Sequence, residues 1–242
     1  MSHDLSIRFR FPGPDASSVE AHLRKLQPFL KSLEVYDPFL KDTEWLISTG
    51  ERNSSYLYEV FDASGPTTKA LAVFREDLKK NDAIKSLSMW NGQEDRTKAA
   101  SIGYFFDRQD GASDWLRLSL RSAPDVSRLG PWEPVVAAMR AACLIYEPRC
   151  ATLTTPNYDP VFKDRLGMGW MLYLPQIITQ SQVPEAGAVV PTMGEGGEQV
   201  GTIIVSVTDA PFSEHNPEHV KIAHDIEIRL VDQDLLPRHV DL

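Results

Sequence analysis

The chain predicts an α+β fold, a mainly antiparallel sheet with helices packed against it. Three observations carry this. Residues 5–11 and 115–121 alternate apolar and polar side chains with a period of two, as strands wetted on one face do. The runs Trp170-Met171-Leu172-Tyr173-Leu174 and Thr202-Ile203-Ile204-Val205-Ser206-Val207 are too short for helices and apolar on both faces, so they read as buried interior strands. Trp132, Val135, Val136, Met139, Cys143 and Tyr146 instead fall on one stripe of an amphipathic helix.

In chain order, Leu5, Ile7, Phe9 and Phe11 face inward in the first strand, with Ser6, Arg8 and Arg10 outward. Pro12-Gly13-Pro14 ends it. Ser17-x-x-Glu20 predicts a capping box before a helix carrying Val19, Leu23, Leu26, Leu30 and Leu33, which Pro28 should kink or split. A short strand is expected around Trp45-Leu46-Ile47, a helix over 53–61, a break at Ser64-Gly65-Pro66 and a helix over 67–80. Strands at 86–90, 100–106 and 115–121, separated by Asn91-Gly92 and Asp110-Gly111, predict an antiparallel meander. Pro131 suits the first position of the 132–146 helix, Pro148 ends it, and 150–154 is the next strand.

The stretch from Tyr158 to Pro175 organises the rest. Gly167 and Gly169 stand just before the buried run at 170–174, where positive φ or close backbone approach calls for glycine. Strands at 188–192 and 199–207 follow, joined by the acidic glycine turn 194–198. Asn216 and Pro217 then cap and open a helix with Val220, Ala223, Ile226 and Leu230 inward. Residues 86–146 and 170–230 both run strand, strand, strand, helix, which allows two similar βββα halves, although their residues do not match. No linker-like segment divides the chain, so residues 1–242 are expected to form a single domain.

The formal net charge is −9. Residues 181–242 hold six glutamates and five aspartates against Lys221, Arg229 and Arg238, a net of −8, so the excess acid is concentrated in the last quarter. That sign opposes direct nucleic-acid binding. It suits a basic partner, or simply a solvated acidic surface. No apolar run is long enough for a membrane span, and the N-terminus lacks a basic start followed by an apolar core. Cys143 and Cys150 have neither metal-type nor disulfide-framework spacing, and Cys143 lies on the apolar stripe. These features favour a reducing cytoplasm.

Chemistry is sparse. His215-x-x-x-His219 straddles the start of a helix, with His224 on another face, so a solvated cluster is favoured over a metal site. Asp232-x-Asp234 reads as a surface turn. There is no nucleophile elbow, phosphate loop or dinucleotide fingerprint, and neither catalysis nor a cofactor is expected. What remains is a surface for a partner. Trp90 and Asn91 beside their turn, and the acids Glu195, Glu198, Asp209, Glu214, Asp232 and Asp234, are its candidate residues.

Several stretches together resemble the immunity protein 52 family of bacterial polymorphic toxin systems: Val161 to Pro175, Val183-Pro-Glu-Ala186, Gly201 to Ser206, Phe212-Ser213, Asn216-Pro217 and Ile226 to Pro237. Trp90-Asn91-Gly92 and Trp132-Glu133-Pro134 fit as well. The resemblance implies a non-catalytic cytoplasmic antitoxin. It would bind and silence a cognate secreted toxin, a restriction-endonuclease-like effector domain delivered by type VI secretion. Two other classes stay open: a small-molecule-binding or enzymatic domain using the Gly167–Gly169 turn as a pocket rim, and a chaperone that loads an effector without suppressing it.

Overall fold

The computed structural model describes residues 2–79, 85–106 and 113–242. The first half contributes β1 (Ser2–Phe9), α1 (Val19–Leu33), β2 (Leu46–Ile47), the single turn α2 (Arg52–Ser55), the short hairpin β3 (Phe61–Asp62) and β4 (Gly65–Pro66), and α3 (Thr68–Leu78). Then come β5 (Lys85–Trp90), β6 (Ala100–Phe106), β7 (Asp114–Arg121), α4 (Trp132–Tyr146), β8 (Cys150–Thr154), β9 (Met171–Leu174), β10 (Ala188–Met193), β11 (Gln199–Val205) and α5 (Pro217–Asp232). The fold is α+β. Nine strands form one antiparallel sheet in the order β10-β11-β9-β8-β1-β7-β6-β5-β2.

The N-terminal strand sits mid-sheet, bridging the meander β5–β6–β7 to the later strands. His3, Leu5, Ile7 and Phe9 share one face with Leu116, Leu118 and Leu120. That face meets α1 and α4: Phe9 packs on Tyr146 with centroids 4.7 Å apart, and Phe29 of α1 meets Tyr146 edge-on at 6.3 Å. The opposite face divides into two wings. Over β8, β9 and β11, Thr152, Leu172, Leu174, Thr202 and Ile204 are buried; the loop after β9 crosses here, with Thr202 Oγ1 donating to Gln176 O at 2.7 Å and accepting from Ile178 N at 3.0 Å. Over β1, β7, β6 and β5, Ser86, Ser88, Ser101, Arg117 and Arg121 are exposed, and no helix among the described residues covers them.

Several expectations are adjusted. The first strand runs Ser2–Phe9, not on to residue 11. The cap of α1 is Ser18, whose side chain accepts from Ala21 N at 3.3 Å, so the Ser17 capping box is shifted by one residue. Helix α1 continues through Pro28 unsplit. The proline ring removes one donor, and burial of Leu23, Leu26, Phe29, Leu30 and Leu33 offsets that loss. The helix expected at 53–61 shrinks to Arg52–Ser55, since Phe61 is drawn into the β3–β4 hairpin around the Ser64-Gly65 turn. Pro131 caps α4 from just outside it. The Asp110-Gly111 turn lies outside the described residues. Both halves do run βββα, but they pair differently. Strands β5, β6 and β7 are neighbours in order, whereas β9 pairs with β11 and leaves β10 at the edge.

Candidate partner-binding surface

The segment before β9 is fixed from α5. Glu227, fully buried, accepts from Tyr158 Oη at 2.6 Å, Met168 N at 2.7 Å and Val161 N at 2.8 Å. Gly169 then turns at φ 52°, and a Cβ there would meet Thr154 Cβ at 2.6 Å. The glycine required by the sequence is therefore required by both backbone and packing. Beyond it, Trp170 is buried and donates its ring N–H to Val207 O at 3.0 Å. Gly169 and Trp170 lie in the core, whereas Gly167, with Tyr158, Pro160 and Arg165, lines a cleft of about 240 Å³ against Arg8 and Thr152.

The structure scatters the candidate residues. Trp90 ends β5 half-buried on the uncovered sheet face, edge-on to Tyr56 at 5.6 Å. Asn91 is a correction. It is fully buried, donates to Phe39 O at 3.0 Å and Lys98 O at 2.9 Å, and accepts from Ala100 N at 2.8 Å. It ties the 91–99 loop together and offers no side chain to a partner. An Asn-Gly pair signals a turn, but not whether the amide faces solvent or bridges backbone.

The acids fall in three places. Glu195 and Glu198 are exposed in the β10–β11 turn. Asp209 and Glu214 follow the other end of β11, about 20 Å away at strand rise. Asp232 and Asp234 lie at the far end of α5, about 24 Å from its start. Asp234 has φ 55° and its N–H reaches Val231 O at 3.0 Å, so it serves as the left-handed residue that stops the helix. Glu214 is mostly buried; burial alone would raise its pKa, but polar contacts from Thr155 and Asn157 outweigh this and hold it below the usual value.

Other acids of the last quarter are paired locally: Glu185 with Arg229 at 2.9 Å, Asp225 with Lys221 at 2.6 Å, and Asp241 with Arg238 at 3.0 Å. Glu195, Glu198, Asp209, Asp232 and Asp234 form no ion pair among the described residues. Glu195 and Glu198 are the pair set in a groove. With Glu147 they rim a cleft of about 540 Å³ between α4 and the β10–β11 turn, whose walls include Leu144, Tyr173 and Val200. Leu144 is 43% and Val200 37% exposed, which gives an apolar floor beneath an acidic rim. Position 147 escaped notice in the sequence. It caps α4 in the left-handed conformation at φ 47°, and only tertiary packing brings it beside residues fifty positions later.

His219 is buried and accepts from Ser213 N at 3.2 Å, His224 contacts Asp159 O at 2.9 Å, and His215 is exposed. Among the described residues no group of three or more His, Cys, Asp or Glu is placed to hold a metal ion. No helix among them is long and apolar enough to cross a membrane.

Comparison with known proteins gives three results. Among curated sequences no relative matches. A solved structure of the Pseudomonas aeruginosa T6SS protein PA0821 is similar over 95% of this chain and 72% of its own, with a TM-score of 0.52 and 10% identity, a likeness of fold alone. The family model of immunity protein 52 matches residues 13–238. That match spans most of the chain, and the chain therefore belongs to the immunity protein 52 family.

Proposed function

We propose that this protein is a non-catalytic immunity protein. It acts as one domain in the cytoplasm, where it binds and neutralises a cognate type VI secretion effector bearing a restriction-endonuclease-like nuclease toxin domain. The sequence resembles TsiT, the immunity protein paired with the effector TseT, and family membership supports a toxin as the partner. The observation that carries the surface is the groove of Glu147, Glu195 and Glu198 over Leu144 and Val200. Glu195 and Glu198, which form no ion pair among the described residues, steer a basic surface in, and the apolar floor supplies the affinity that survives salt. A nuclease must present a basic cleft to DNA, so an acidic groove is chemically matched to it. Asp209, Glu214, Asp232 and Asp234 then contribute long-range field rather than contact.

The test begins with the tagged chain as bait in its native host. The recovered toxin domain is then purified, its nuclease activity assayed, and its affinity measured at rising salt. The expected result is full inhibition at equimolar protein. Glu195→Lys with Glu198→Lys should weaken binding at least tenfold, and Asp232→Lys with Asp234→Lys less than threefold. Binding that leaves toxicity intact would favour an effector-loading chaperone. Unchanged affinity in the groove variant would move the interface elsewhere.

A further inference from the structure

The uncovered wing of the sheet is chemically unlike the rest of the molecule. Trp115 of β7 lies between Arg8 of β1, whose guanidinium carbon is 4.5 Å from the ring centroid, and Phe105 of β6, stacked at 5.1 Å and 20°. Its indole N–H donates to Ser6 Oγ. Beside this stack, Arg96, Arg117 and Arg121 rim a cleft of about 500 Å³ floored by Ser101 and Ser119. Asp4, paired with Arg117, is the acid among its lining residues. Arg96 and Arg121 are exposed and form no ion pair among the described residues. A basic, aromatic face thus stands on a chain whose net charge is −9.

We propose that this face of β1, β7 and β6 is a second docking surface, which takes an acidic segment of a protein partner. Tryptophan and arginine are prominent among the residues that dominate binding energy at protein interfaces, and phenylalanine is enriched there. The arginines donate to carboxylates in a fixed fork geometry, while the Arg8–Trp115–Phe105 stack is pre-ordered by ring contacts and loses little freedom on binding. A single-stranded nucleic acid fits less well. Both ring faces of Trp115 are already occupied, so no base stacks on it, and the acidic remainder of the molecule repels a phosphate chain. The surface is independent of the acidic groove. Tyr173 of the groove shares a face with Ile7, on the α4 side, whereas Arg8 points through the other side of the sheet.

The experiment uses the full chain and a labelled peptide of about fifteen residues rich in glutamate and aspartate with interspersed leucines. A lysine-rich peptide and an oligodeoxynucleotide of equal length are run beside it. Anisotropy and tryptophan emission are read at low salt. The expected result is saturable binding of the acidic peptide with a change in tryptophan emission. Affinity should drop at least tenfold in Arg96→Glu with Arg121→Glu, both exposed and outside any ion pair among the described residues, and stay unchanged in Glu195→Lys with Glu198→Lys. Absence of binding, equal binding by the arginine variant, tighter binding of the oligonucleotide, or self-association of the chain through this face in sedimentation would each overturn the proposal. Loss in the groove variant alone would assign peptide binding to the other site.

Discussion

Glu227 of α5 accepts the phenolic proton of Tyr158 at 2.6 Å while the same carboxylate holds the backbone N–H groups of Val161 and Met168. One buried side chain therefore anchors the loop that delivers β9 to the sheet. Its charge is spread over three donors, which is how a carboxylate at 0% exposure is tolerated. Replacing Glu227 with Ala should leave the buried N–H of Met168 and the part-buried donors of Val161 and Tyr158 unpaired, and cost about 3–5 kcal/mol in urea unfolding. Tyr158→Phe should cost about 1–2 kcal/mol. In the double variant the two losses should fall well short of additive. A Glu227→Ala protein within about 0.5 kcal/mol of the parent would show that the loop is held by its apolar contacts instead.

Gly169→Ala meets two obstacles at once: a left-handed backbone at φ 52° and Thr154 Cβ at 2.6 Å. We expect a loss of at least about 2 kcal/mol. Adding Thr154→Ala should leave most of it in place, because Leu153 O also stands 3.0 Å from the new Cβ. Complete rescue by Thr154→Ala would locate the whole cost in that one side chain.

Alkaline pH should unfold the protein through its tyrosines. Burial pushes the phenols of Tyr104, Tyr146 and Tyr158 far up, and that of Tyr173 up to about 12. The unfolded chain ionises these groups near pH 10. Raised folded pKa values mean that the stability they contribute is fully present below pH 10 and is lost as pH rises past it. Absorbance at 295 nm should show a late class whose ionisation coincides with loss of circular dichroism. Early titration of all seven tyrosines in a folded protein would contradict this.

Both thiols should be silent. Cys143 and Cys150 are buried, and burial raises both thiol pKa values, that of Cys150 to about 12. Reaction with Ellman's reagent at pH 8 should proceed at the rate of global unfolding and become fast in guanidinium. Prompt modification of the native protein would mean that α4 opens locally.

Much was legible locally. The alternation at 115–121 gave the inward leucines of β7, and the stripe at 132–146 gave the buried face of α4. Asn216-Pro217 gave the start of α5, with Asn216 accepting from Glu218 N at 3.0 Å. The paired glycines gave the turn into β9. Each depends on residues within one helical turn or a few strand positions, where periodicity and capping chemistry act directly. The family, too, was legible in motifs along the chain.

Tertiary structure decided the rest. The sequence could not place β1 between β7 and β8, because pairing across more than a hundred residues leaves no local period. It grouped the acids of the last quarter as one face, but strand and helix lengths carry them to three separate ends. It offered Asn91 as surface, but the side chain turned inward to satisfy backbone. The basic aromatic face arose from Arg8, Phe105 and Trp115 on three different strands. Sequence sets which side of its own strand each residue occupies; only sheet register sets which residues it stands beside.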